Sequence, residues 1–217
     1  MFIMCLIWSV GASTNQEGRV KFSNFLRTLL CEFDFDEVMP EEGLVYDYLY
    51  DVDSQAWILW TESQDPYKFD AKLSYSELII PTTDSIRNTY MLALLNTCSK
   101  HILFTGDTGT GKTVNINQFL AGLPPNQIPL NFVFSAATSA NQLEDLIFSK
   151  MSKRRARVFG PAMGKRFIIF VDDMNMPSRE VYGAQPPIEL LRQYMDFDGI
   201  FDRSTLEFVN LVDINFI

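Results

Sequence analysis

The chain has 217 residues, 47% of them hydrophobic and 21% charged, the balance of an ordinary folded soluble chain with room for one sizeable core and part of a second domain. A formal net charge of −9 argues against nucleic acid as a partner of the chain as a whole. Cys5, Cys31 and Cys98 are odd in number and widely spaced, with no metal-ligand or CxxC pattern, and read as buried reduced thiols of a cytosolic protein.

In chain order, Met1 to Val10 is apolar, but no Lys or Arg precedes the run and it is too short to span a bilayer. It reads as a core segment cut short at its N-terminal end. No other segment is a membrane candidate, so no membrane partner is expected. Thr14-x-x-Glu17 is a capping box for a helix whose Phe22, Phe25, Leu26, Leu29 and Leu30 recur at helical spacing. From Glu32 to Asp53 there are nine acidic residues and no Lys or Arg, interleaved with aromatics, Pro40 and Gly43; this reads as a solvated connector. Trp57 to Trp60 is a short aromatic-aliphatic run. Periodicity fades beyond it, and a domain boundary is placed near residue 65, giving segments 1–65 and 66–217. Leu78 to Pro81 is strand-like, and Thr82 or Thr83 caps a helix to about Cys98 with Ile86, Tyr90 and Leu94 inward. His101, the only histidine, has no catalytic partner in the sequence and is expected to be structural.

The chain's most informative stretch follows. Gly106-Asp107-Thr108-Gly109-Thr110-Gly111-Lys112-Thr113 is G-x-x-x-x-G-K-[ST] in full, the Walker A pattern of a phosphate-binding loop. The glycines let successive backbone N–H groups converge on phosphate oxygens. Lys112 is placed to reach the β/γ-phosphates and the Thr113 hydroxyl to ligate Mg²⁺. Context agrees: Ile102 to Thr105 reads as a buried strand entering the loop, and a helix runs from Lys112 to Leu120 before Gly122. ATP or ADP with Mg²⁺ is therefore the expected cofactor.

Asn131 to Ser135 reads as a second buried strand, and Ser139-x-x-Gln142 opens a helix with Leu143, Leu146, Ile147 and Met151 on one face. The segment from Lys150 to Arg166 holds seven of the 18 basic residues and reads as a turn-rich solvated insertion. Phe167 to Val171 is then a continuous apolar run ending in Asp172-Asp173, the Walker B pattern. Such a strand offers its carboxylates at the crevice where an open α/β sheet binds ligands. Asp172 would hold Mg²⁺ and Asp173 would orient the attacking water. Pro186 to Met195 is a helix with Ile188, Leu191 and Met195 inward. Gly199 to Arg203 reads as a turn, Phe208 to Val212 as a strand, and Asp213 to Ile217 as a core strand at which the chain looks truncated.

Phe170-Val171-Asp172-Asp173-Met174-Asn175-Met176-Pro177, followed by Tyr182-Gly183-Ala184-Gln185-Pro186-Pro187-Ile188-Glu189-Leu190-Leu191-Arg192-Gln193, resembles the third AAA+ module of dynein heavy chains, the axonemal (ciliary) members above all. Ser76 to Thr82 and Phe159 to Arg166 fit the same module, while Ile7 to Gly11 and Gly43 to Tyr48 resemble the end of the preceding module and its connector. The resemblance implies an α/β P-loop NTPase sheet of AAA+ type, incomplete at its C-terminus and preceded by a mostly helical remnant. It implies that residues around Ile80, Pro81 and Thr82 lie near the adenine, and that the 150–166 and 199–212 segments are β-hairpin insertions. Its partners would be neighbouring AAA+ modules of the same heavy chain, with intermediate and light chains and microtubules reached through other parts, in the cytoplasm, cytoskeleton and ciliary axoneme. AAA+ hydrolases usually carry Glu where this chain has Asp173, one methylene shorter, so the expected behaviour is nucleotide binding with little or no hydrolysis by this chain alone. A regulatory module that gates neighbouring sites and a P-loop phosphotransferase are the rival readings.

Overall fold

The computed structural model describes residues 1–33, 39–63 and 80–217. The chain divides into two compact units, residues 1–87 and 88–217.

The first unit contains α1 (Phe2–Ser9), α2 (Gln16–Glu32), a 3-10 turn (Val45–Asp47), and the antiparallel pair β1 (Tyr48–Asp51) and β2 (Ala56–Leu59). Asn15 caps α2, its side chain accepting from the Gly18 N–H at 2.9 Å, one residue beyond the expected Thr14. Asparagine outranks threonine at that position, and the Thr14 hydroxyl turns to the Gly11 carbonyl at 2.8 Å. Leu26 is the buried centre of α2, whereas Phe25 is exposed. The second half of the acidic stretch is core rather than solvated connector. Val45, Tyr46, Tyr48, Leu49 and Tyr50 are buried: Val45 and Tyr46 pack with Ile3, Ile7 and Leu26, and Tyr50 meets Trp57 edge-on, while the carboxylates stay outside. Trp8 meets Tyr46 and Trp60 edge-on at 5.8 and 6.1 Å between ring centroids. Trp60 Nε1 donates to the Tyr46 carbonyl, and the Tyr46 hydroxyl donates to the Gly11 carbonyl. Two guanidiniums cover this cluster, Arg19 over Tyr46 and Arg87 over Trp8, each 5.1 Å from the ring centroid.

Most of α3 (Thr83–Thr97) lies in the second unit. The rest of the second unit is α4 (Lys112–Ala121), β3 (Gln127–Val133), α5 (Ala140–Lys150), β4 (Ser152–Arg155), β5 (Val158–Gly160), β6 (Arg166–Asp172), α6 (Pro186–Phe197), β7 (Gly199–Phe201), β8 (Phe208–Leu211) and β9 (Ile214–Phe216). β3, β6 and β9 form an all-parallel sheet in that order. The central strand β6 buries Phe167 to Val171 without interruption, and the period-two alternation of a strand divides them between two faces. Ile168 and Phe170 pack with Leu92 of α3 and Ile116, Phe119 and Leu120 of α4. Phe167, Ile169 and Val171 pack with Leu143 and Ile147 of α5 and Leu191 and Tyr194 of α6. Each of these fully covered side chains contributes about 1.5–3 kcal/mol relative to exposure.

Several expected elements differ. Residues 102–105 are extended but form no strand: Ile102 N–H donates to the Phe216 carbonyl at 3.0 Å, and Leu103 is 68% exposed. The segment lies outside β9, with one backbone bond and no ladder. β3 is likewise an edge strand, so only alternate residues such as Phe132 are buried, and Pro129 is tolerated there. Tyr194 rather than Met195 takes the inward place on α6, and Leu92 and Asn96 are the most buried residues of α3. The capping box Ser139/Gln142 of α5 is present as expected. Cys5, Cys31 and Cys98 are exposed, not buried.

Gly199 to Phe201 is a strand instead of a turn, because it pairs antiparallel with β8. β8 in turn runs parallel to β5, so two separate hairpins, β4–β5 and β7–β8, share one sheet of order β4-β5-β8-β7. Composition suggested a solvated insertion and a turn here; the structure has instead the two β-hairpins that the resemblance implies. Arg154 pairs with Asp213 and Arg157 with Glu207 across it, each at 2.5 Å. No helix of the described residues is long and apolar enough to cross a membrane.

A methyl group at Gly11 would lie 2.6 Å from the Tyr46 hydroxyl and 2.7 Å from both the Ile7 carbonyl oxygen and a Phe22 ring carbon. Gly11→Ala is therefore expected to destabilise the first unit by about 1–3 kcal/mol. Chemical denaturation followed by tryptophan fluorescence measures it, and an unchanged midpoint would count against this packing.

Candidate functional site

The 106–113 loop joins the extended 102–105 segment to the N-terminus of α4. Gly109 and Gly111 hold φ of 83° and 76°, a region that side-chain-bearing residues avoid. Gly111 is the N-cap of α4 and no side chain caps the helix, so its first N–H groups and the positive end of its dipole are directed at the loop. Lys112 Nζ donates to the carbonyls of Gly106 at 2.8 Å and Asp107 at 2.6 Å, and approaches Thr110 Oγ1 at 3.5 Å. The ammonium thus lies over the turn of the loop, where an anion offers it stronger, charge-assisted acceptors than those carbonyls.

The C-terminal end of β6 delivers Asp172 to the same place. The Thr113 hydroxyl donates to its carboxylate, 3.3 Å to Oδ2 and 3.4 Å to Oδ1, across 59 residues of sequence. No cluster of three or more His, Cys, Asp or Glu side chains suited to a metal occurs among the described residues. A hydroxyl and one carboxylate are the donor set for a hard oxygen-preferring cation such as Mg²⁺, which fills its remaining positions with water and phosphate oxygens. Asp173 follows with φ of 56°, exposed, its N–H donating back to Asp172 Oδ1 at 3.1 Å.

A cavity of about 650 Å³ opens here. Its lining includes Gly106, Lys112, Thr113, Asp172, Asp173 and Asn175 together with the apolar Phe104, Ile116, Leu191, Met195 and Phe216. Sequence reasoning missed Asn175 and the α6 wall, Ile188 to Met195; the crossover from β6 to β9 through α6 was the available signal. Arg192, on that wall, is held above the usual guanidinium range by hydrogen bonds and charge from Glu189, with Asp196 adding to it. Thr82 serves as the cap of α3, its hydroxyl accepting from the Ser85 N–H at 3.2 Å, and Ile80 is exposed. Ile80, Pro81 and Thr82 belong to the 1–87 unit. The portion of the resemblance carried by Ser76 to Ile79 lies outside the described residues.

His101 borders the cavity, with its Nδ1 accepting from the Phe216 N–H at 3.1 Å and its ring edge-on to Tyr194. Accepting at Nδ1 requires the neutral ring with its proton on Nε2. Burial, the leading cause, pushes its pKa down from the ordinary 6.5, opposed by Asp198. Burial also pushes the Tyr194 hydroxyl up.

A glycine-rich turn feeding a helix, met by an acidic strand end at the carboxyl edge of a parallel sheet, is the arrangement of the P-loop nucleoside-triphosphatase class. Residues 67–217 match the family model of the P-loop containing dynein motor region, and residues 1–62 that of the dynein heavy chain AAA lid domain. The chain belongs to the dynein heavy chain family. It is 46% identical to human dynein axonemal heavy chain 1, 44% to mouse dynein axonemal heavy chain 12 and 40% to mouse dynein axonemal heavy chain 3. Those alignments cover 100%, 100% and 99% of this chain but only 6%, 8% and 6% of the relatives.

The depressed pKa of His101 has a defined sign. The unfolded chain binds the proton more tightly, so stability contributed by the neutral ring is present above the ordinary value and is lost as pH falls below 6.5. His101→Gln should flatten that part of the profile: between pH 7.5 and 5.5 the thermal midpoint of wild type should fall further than that of the variant. Parallel profiles would refute the assignment.

Proposed function

We propose that this chain is the nucleotide-binding part of an AAA+ module, the third, of an axonemal-type dynein heavy chain, and that it holds Mg·ATP or Mg·ADP at the 106–113 loop. The carrying observation is the 3.3 Å approach of Thr113 Oγ1 to Asp172 Oδ2, which brings the two sequence motifs to one point beside the phosphate loop. Lys112 and the first N–H groups of α4 would bind the phosphates, and Thr113 with Asp172 would hold the metal. The bound metal would neutralise charge on the phosphate oxygens. Asp173 would orient the attacking water. Family membership supports neighbouring AAA+ modules of the same heavy chain as partners and, through the rest of such a motor, intermediate and light chains, microtubules and the ciliary axoneme. It leaves the phosphotransferase reading without support.

Lys112→Ala removes a charge-assisted phosphate contact and should weaken Mg·ATP binding by about 2–4 kcal/mol. Equal affinities by titration calorimetry would sink the nucleotide assignment.

A regulatory role, in which the module binds nucleotide and gates its neighbours, is favoured by Asp173. Its carboxylate is one methylene shorter than the glutamate usual in AAA+ hydrolases, and its left-handed backbone fixes where that carboxylate starts. An arginine finger contributes roughly 10³–10⁵ in rate and in AAA+ rings comes from a neighbouring module. This chain by itself should therefore bind nucleotide without useful turnover. In a phosphate-release assay with Lys112→Ala as blank, Lys112-dependent turnover of about 1 s⁻¹ would show the chain to be catalytically sufficient and this reading wrong.

A further inference from the structure

Gln185 stands immediately before α6, where a side chain commonly caps the first helical N–H groups. No side chain caps α6, and Pro186 and Pro187 at its start remove two of the donors. The Gln185 amide goes instead to the loop that follows β6. Its Nε2 donates to the Pro177 carbonyl at 2.6 Å and to the Asn175 carbonyl at 3.1 Å. Both acceptors are carbonyl oxygens, which fixes the orientation of the amide.

The loop so held begins with a residue in a conformation that side-chain-bearing residues keep only against a cost. In that conformation the Asp173 N–H reaches the Asp172 carboxylate, and the Met176 N–H closes a turn onto the Asp173 carbonyl at 2.9 Å. Ser178 pins the far end, its hydroxyl donating to the Ala136 carbonyl at 2.7 Å and its N–H to the same oxygen at 3.3 Å. A strained turn with ties at both ends is over-determined by its surroundings. Gln185 supplies the tie at Asn175 and Pro177, and the cavity wall includes Asp173 and Asn175.

We propose that Gln185 is a positioning residue for the terminal phosphate: by binding the 175–177 carbonyls to the foot of α6 it holds Asp173 and Asn175 at the far side of the phosphate site and sets the preference for triphosphate over diphosphate. The inference rests on the P-loop reading above. The glycine loop and Lys112 grip the phosphates shared by both nucleotides. Residues past the metal carboxylate face the end where the third phosphate and the attacking water belong. Loosening the loop therefore acts on the triphosphate alone.

The test compares affinities of the full chain for Mg·ADP and for the slowly hydrolysed Mg·ATPγS by calorimetry. Gln185→Met keeps size and loses the donor, Gln185→Glu keeps shape and loses the donor, and Gln185→Lys restores a donor without an acceptor. The Met and Glu variants should each lose about 5-fold in triphosphate preference, the order expected for one hydrogen-bonding group, with ADP affinity within about twofold of wild type and a native thermal midpoint. The Lys variant should retain the preference. An unchanged preference in both donor-less variants overturns the inference, as does an equal loss for both nucleotides, which is what a merely structural role produces. Lys112→Ala run alongside separates the two levels: wild-type binding in that variant overturns the P-loop reading and this one with it, whereas weakened binding there with unchanged Gln185 variants overturns this one alone.

Discussion

Five consecutive apolar side chains of β6, Phe167 to Val171, have to be kept from water on both faces of one sheet, and the arrangement of the second unit follows from that requirement. A strand apolar on one face only could lie on a surface. This one needs α3 and α4 on one side and α5 and α6 on the other, with β3 and β9 hydrogen-bonded along its edges. Parallel neighbours in turn need crossover helices, which accounts for α5 between β3 and β6 and for α6 between β6 and β9.

The same strand places the chemistry. Where the apolar run stops, Asp172 and Asp173 emerge at the carboxyl edge of the sheet, and α4, packed through Ile116 and Phe119 on Ile168 and Phe170, brings its N-terminus and Thr113 to that edge. The contact between the Thr113 hydroxyl and the Asp172 carboxylate is thus a consequence of core packing, not of any local preference of the loop. His101 and Tyr194 belong to the same core, and their displaced pKa values both report burial beside the cavity.

Outside the central sheet three arginines of the second unit tie separate segments together. Arg154 and Arg157 reach from the β4–β5 hairpin to Asp213 and Glu207, and Arg203 in the turn of the other hairpin pairs with Asp145 of α5. Exposed pairs of this kind contribute little each. They act together with the β5–β8 ladder to hold two hairpins, about 50 residues apart in sequence at the Arg157–Glu207 pair, as one sheet.

What the sequence by itself determined were features with a local cause. The Walker A glycines have a fixed spacing, β6 is an unbroken apolar run, and the Ser139/Gln142 box marks the start of α5, so the fold class and the phosphate loop could be read without coordinates. The dynein likeness rested on an equally contiguous string from Phe170 to Gln193. Only the tertiary structure decided features whose cause lies in another segment. Gly199 to Phe201, turn-like by their own residues, are a strand because β8 offers them a ladder, and Val45 and Tyr46 are core because α1 and α2 cover them, despite nine carboxylates in the stretch around them. Residues 102–105 lack a ladder because their neighbour β9 supplies one backbone bond, and Gln185 grips the loop ahead of it because α6 starts beside that loop. Periodicity and turn chemistry report on a residue's own few neighbours in sequence. Pairing and burial are settled by partners tens of residues away, and no window of the sequence contains both.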